Sequence, residues 1–246
     1  MPERYHDLRQ VKGYQLHIDI DNGVVETAGT SFFDDTVMRV LGPKGWGVVV
    51  LNSFDPDGGS IEGVLGEAAA LANTTNEEIV LAPSIRGARG VPLLSEDPAD
   101  IDLEEKIRLL LEVERSATAP EVRNTRATYI ESREQVRFLD SSGYDYSYAV
   151  TRCGFSVMAV AVRGEVMQMA RESHHTVEGF NLRHQAPVGR LVGSRAVALL
   201  DAIPARGGSL DAVLDPELGG VFAHEAVGHA SEGDLIKEGN SAGIRV

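Results

Sequence analysis

His224-Glu225-Ala226-Val227-Gly228-His229 places two imidazoles and a carboxylate within one short run. Neutral imidazole nitrogens bind zinc, and a neighbouring carboxylate can take a proton from water, so the set suits metal-assisted hydrolysis. The common zinc-protease pattern HExxH holds its two imidazoles four residues apart on one helix face. Here the spacing is five residues. On a regular helix five residues turn about 500°, which splays the rings by about 140°. A π-type widening to about 4.4 residues per turn reduces that angle to about 50°. The spacing therefore predicts a helix opened by one residue between His224 and His229, with Gly228 easing the change. Glu232 and Asp234 follow closely. They read as groups that orient the helix end or hydrogen-bond a ligand, with direct ligation as the alternative.

An α+β chain must position this run. Asp215-Pro216 is a helix start, with proline at the first helical position. The helix is expected to continue through Asp234, after a short buried strand at Ala212-Val213-Leu214. Upstream, residues 1–95 read as an N-terminal α/β unit of hairpins and helices. Asn22-Gly23 between two alternating runs is a hairpin signal, because both turn residues need positive φ. A second hairpin joins Thr36–Leu41 to Trp46–Leu51. Ser60–Asn73 is a helix capped by Ser60, and Glu77–Leu81 a short strand. Arg86–Asp100, rich in Gly and Pro, reads as a linker. Residues 96–208 form a middle domain. Its amphipathic helix, Asp102–Ala117, is capped by Asp102 and followed by an antiparallel meander. The meander strands are Val122–Ser132, Val136–Asp140, Tyr144–Arg152, Phe155–Arg163 and Val166–Ser173, with Met158, Met167 and Met169 as core filler. A helix at Arg190–Ile203 closes it. Residues 209–246 begin a third, C-terminal domain.

The run Phe222–Asp234 reads HExxGHxxEGD from His224 onward. It resembles the signature of the TldD/PmbA (TldE) family of metalloproteases. PmbA members generally lack the histidines, so this chain is similar to the TldD side. Asn22–Glu26, Gly45-Trp46-Gly47-Val48 with the helix after it, and the strand-rich middle are similar to the family's first two domains. The resemblance implies a zinc-dependent peptidase acting on unstructured peptides and small unfolded proteins, in a family once described as modulators of DNA gyrase. It implies His224 and His229 as zinc ligands and Glu225 as general base toward a zinc-bound water. It also implies a homodimer or a TldD/PmbA-type heterodimer. Family members are about twice as long, and their third zinc ligand is a cysteine in the C-terminal domain. The chain is therefore expected to be truncated after the motif helix. Cys153 does not match that ligand position. Cys153, His174, His175, Glu232 and Asp234 are the substitutes within the chain. The alternative function is a non-catalytic N-terminal portion serving dimerisation or shaping a peptide channel.

Composition narrows the partners. The 246 residues carry 37 acidic and 23 basic side chains, a formal net charge of −14. Such a chain repels phosphate backbones and anionic lipid surfaces, so neither nucleic acid nor membrane is an expected partner. Arg123, Arg126, Arg133 and Arg137 alternate with Glu121, Glu131 and Glu134 and read as a solvated mixed-charge face. Without an apolar signal region or a spanning run, the chain is expected to be cytoplasmic. The single cysteine excludes an internal disulfide and a four-cysteine zinc site.

Overall fold

A computed structural model describes residues 5–74, 76, 79–81, 93–209 and 211–237. They fall into two compact units, Met1–Ala202 and Ile203–Val246. The first unit is built on one antiparallel sheet of six strands in the order β3-β2-β1-β4-β5-β6. These are β1 His6–Asp21, β2 Val24–Gly42, β3 Gly45–Asn52, β4 Val122–Asp140, β5 Asp145–Arg163 and β6 Val166–Thr176. Three helices belong to the unit: α1 Ile61–Leu71, α2 Leu103–Ser116 and α3 Ala186–Ala198. None of the described helices is long and apolar enough to cross a membrane.

Turn chemistry sets the register. Asn22 and Gly23 both take positive φ, 47° and 76°, and close the β1–β2 hairpin. On β1, Leu8, Leu16, Ile18 and Ile20 are buried, and their even spacing puts them on one face. Leu8 packs with Met38, Val40 and Val49 under Ala68 of α1. Leu16, Ile18 and Ile20 join Tyr129, Phe155 and Val157 beneath α2 and α3. All three helices thus cover the same sheet face. The helices α2 and α3 approach closely because Gly189 and Gly193 lack side chains. A Cβ at Gly193 would stand 2.3 Å from the carbonyl oxygen of Ala117, and one at Gly189 2.2 Å from that of Val113.

Several expectations are corrected. The four strands expected between Val122 and Arg163 are two, β4 and β5, each 19 residues long. Continuous pairing of β4 with β1 and β5, and of β5 with β4 and β6, carries them through 133–135 and 153–154. Met167 and Met169 are 68% and 55% exposed, because β6 turns them away from the helices. Asp102 stands at the N-cap of α2 but makes no side-chain capping bond, whereas Ser60 accepts from the Gly63 amide as expected. α3 starts at Ala186, earlier than the hydrophobic periodicity indicates, because Pro187 sits in its first turn. Residues 79–81 are irregular, not strand. Glu77, Glu78 and the first part of the expected linker, residues 86–92, lie outside the described residues.

Three of the four arginines of the mixed-charge face are ion-paired: Arg126 with Asp19, Arg133 with Asp97, and Arg137 with Asp57 and Asp145. Arg123 instead donates to the Pro120 carbonyl. Glu131 is not part of that face. It is 1% exposed, pointing toward α2. There its carboxylate accepts from Lys106 Nζ at 2.7 Å, Tyr14 Oη at 2.7 Å and Tyr129 Oη at 2.9 Å. Burial, reinforced by Glu131, raises both tyrosine pKa values, so the phenols stay protonated and donate.

Candidate metal centre

The second unit presents the His224–His229 run. Asp215 accepts a hydrogen bond from the Leu218 amide at 2.8 Å and, with Pro216, starts α4 Pro216–Ala223. The chain then widens into a π turn over His224–Gly228. The His229 amide donates to the His224 carbonyl, the i→i+5 bond that defines such a turn. A 3-10 turn follows at His229–Ser231, and α5 Gly233–Lys237 ends the described chain. The helix expected to run unbroken to Asp234 is therefore interrupted at Glu232, which is extended. Ala212-Val213-Leu214 is not a buried strand. It is irregular, with Val213 fully exposed, and it pairs with no strand among the described residues.

The widened turn brings the side chains together. The imidazole centroids of His224 and His229 are 4.5 Å apart at an interplanar angle of 70°. One potential ligand atom from each of His224, Glu225 and His229 lies within 4.8 Å of the others. All three residues are exposed. Gly228 does not play the part expected from the sequence. Its φ of −57° is ordinary helix, so conformational freedom is not what it supplies. A Cβ there would lie 3.4 Å from His224 Nδ1, an ordinary van der Waals contact, so space for the imidazole does not require glycine either.

Glu232 and Asp234 separate in role. Glu232 Oε1 is 2.5 Å from His229 Nδ1. A proton held on Nδ1 by this carboxylate leaves the Nε2 lone pair free for a metal, the usual arrangement around metal-binding histidines. Glu225 Oε2 lies 3.7 Å from that Nε2. Asp234 instead accepts from the Leu235 amide at 2.9 Å and serves the start of α5. The hydrogen bond to Glu232, then its charge and that of Glu225, raise the His229 pKa above its ordinary value of 6.5. Glu232→Gln is expected to lower the His229 pKa of the metal-free protein toward 6.5, because the imidazolium loses its carboxylate partner. Proton NMR titration of the His229 ring measures this directly. An unchanged midpoint would mean that the contact is not made in solution.

The remaining substitutes have their own partners. Cys153 is buried, with Sγ 3.0 Å from the Gly179 carbonyl oxygen, and burial raises its pKa and keeps the thiol protonated. His174 stacks on Phe155 with centroids 5.5 Å apart, and His175 Nδ1 meets Ser173 Oγ at 3.1 Å. Sequence reading missed the buried Lys106–Glu131 pair. A signal existed in the inward stripe Lys106, Leu110, Val113 and Ala117, whose helical spacing includes the lysine.

Comparison with known proteins bears on the family and the fold. Residues 6–72 match the model for PmbA/TldA metallopeptidase domain 1, and residues 96–200 match that for the PmbA/TldA metallopeptidase central domain. A metalloprotease from Methanothermobacter thermautotrophicus is 31% identical over 96% of this chain and 52% of its own length. One from Methanocaldococcus jannaschii is 29% identical over 96% of this chain and 53% of its own. The chain thus spans about half the length of the curated relatives it matches. Two crystal structures share the fold. A Bacteroides thetaiotaomicron protein described as a proposed modulator of DNA gyrase superposes with a TM-score of 0.80 at 13% identity, over 95% of this chain and 54% of that one. TldE from Thermococcus kodakarensis gives 0.58 at 16% identity, over 80% of this chain and 44% of that one.

Proposed function

We propose that this chain, which belongs to the TldD/PmbA metallopeptidase family, supplies the metal-binding histidines and the general base of a peptidase centre. The π turn carries this reading, because it converts a spacing unsuited to a regular helix into two adjacent imidazoles. His224 and His229 would hold zinc, whose borderline-soft character suits imidazole. When bound, zinc would polarise a peptide carbonyl and acidify a water. Glu232 holds His229 in the tautomer that leaves Nε2 free. Glu225, exposed and close to that nitrogen, takes the proton of the attacking water and returns it to the leaving amine.

A catalytic zinc usually has three protein ligands, and two histidines leave one to find. Glu232 is engaged with His229 and Asp234 with the α5 backbone. With Glu225 as the base, the third ligand would therefore come from beyond the His224–Asp234 run. The substrates would be unstructured peptides, met in a cytoplasmic setting by a homodimer or a TldD/PmbA-type heterodimer. A scaffold role in dimerisation or in shaping a peptide channel is the second reading, favoured by the two-histidine set. Elemental analysis of protein purified without chelator separates the two. The peptidase reading expects close to one zinc per chain, lost on His229→Ala. Equal, near-zero zinc in both proteins would support the scaffold.

A further inference from the structure

The sheet face opposite the helices carries a recess of about 390 Å³, lined by Arg9, Val37, Val136, Phe138, Tyr146 and Tyr148 together with the Asp7–Arg39 pair. Strand register builds it. Val50, Val37, Arg9, Phe138 and Tyr146 pair in turn across five strands and form one transverse row. One side of the row is aliphatic and the other aromatic. The Phe138 and Tyr146 centroids are 5.3 Å apart, and Tyr146 stacks with Tyr148 at 6.3 Å and 16°. Tyr146 and Tyr148 remain 45% and 39% exposed. With Phe138 they form an aromatic shelf, bordered by Tyr144, whose ring meets Tyr146 edge-on with centroids 6.0 Å apart.

Two arginines border the shelf, and they differ. Arg39 is held by both oxygens of Asp7 and lies over the Trp46 ring at 4.9 Å. Arg9, in the centre of the row, is exposed and has no ion-pair or hydrogen-bond partner among the described residues. Asp35, one row away, is not within ion-pair distance of it. An uncommitted guanidinium beside a stacked aromatic surface complements a planar ring with an attached carboxylate. The volume falls at the small end of the range of ligand sites, about 300–1,000 Å³.

We propose that this recess binds the carboxy-terminal aromatic residue of a peptide, its ring on the Phe138–Tyr146–Tyr148 shelf and its carboxylate on Arg9. The choice of a peptide over a free aromatic acid rests on the peptidase reading, since hydrolysis of a peptide bond leaves a new terminal carboxylate. The recess geometry does not depend on the metal centre.

The test is binding to the metal-free chain, followed by calorimetry and by the Arg9 side-chain NMR signal. Four probes are compared: N-acetyl-Gly-Gly-Phe, its carboxy-terminal amide, N-acetyl-Gly-Gly-Ala, and phenylacetate. The phenylalanine acid is expected to bind about tenfold or more tightly than its amide, the effect of one charge-assisted hydrogen bond. It is expected to exceed the alanine acid by a similar factor. Arg9→Gln should erase the acid-over-amide preference, and Tyr146→Ala the preference for the ring. Both side chains are exposed, so circular dichroism of the variants should match the parent. Equal binding of acid and amide, or preferences that survive both substitutions, would overturn the proposal. Phenylacetate binding as tightly as the peptide would overturn the assignment to a peptide terminus. Because no turnover is read, failure here leaves the metal centre untouched, and failure of the metal centre leaves this binding measurable.

Discussion

Glu225→Gln is expected to cut peptide hydrolysis by roughly a hundred- to ten-thousandfold, the range typical of losing a general base. The glutamine amide keeps the size of the side chain but offers no carboxylate to receive the proton of water. The substitution is placed where structural side effects should be small, since the Glu225 side chain is 64% exposed. Zinc content, measured on the same samples as turnover of an unstructured fluorogenic peptide, divides the outcomes. Activity lost with zinc retained fits a base. Activity and zinc lost together would make Glu225 a ligand, in line with its 3.7 Å approach to His229 Nε2. Activity retained would remove Glu225 from the mechanism.

The second large effect is on stability. Lys106 and Glu131 are 4% and 1% exposed and 2.7 Å apart. Lys106→Met is expected to destabilise the protein by about 3–5 kcal/mol, because it strands a buried carboxylate with only the two tyrosine donors. Urea denaturation gives the value. The double variant Lys106→Met/Glu131→Leu should recover much of the loss, since replacing both charges removes the desolvation cost together with the attraction. A single variant within about 0.5 kcal/mol of the parent would mean that the pair is solvated, as surface sites are.

The legible parts of the molecule were those written in short-range chemistry. Asn22-Gly23 specifies its turn by φ alone, and the capped helix after Ser60 follows from local residues. The five-residue histidine spacing pointed to the π turn, because one helix geometry makes sense of it and the regular one does not. Long-range effects were not legible. The breaks read at Arg133–Gln135 and Cys153–Gly154 vanish because neighbouring strands on both sides hold the backbone extended whatever its polarity. Lys106 and Glu131 each look like surface residues, and only the tertiary pairing of α2 with β4 explains their burial. Arg9 and the tyrosine shelf are joined by register across strands far apart in sequence, which no local pattern reveals.

The strand order has a consequence for how the chain is made. β1 sits in the middle of the sheet, yet its second neighbour is β4, so that Asp7 pairs with Asp140 and the His6 amide reaches Ser141 Oγ across 135 positions. During synthesis the first three strands and α1 emerge with one side of β1 bare. It stays bare until the ribosome has released about seventy further residues, or several seconds at ordinary elongation rates of roughly 5–20 residues per second. High contact order makes this closing step slow. Nascent chains that stall within the α2 region would therefore carry an open strand edge, and that interval is where a chaperone would matter most to the yield of this protein.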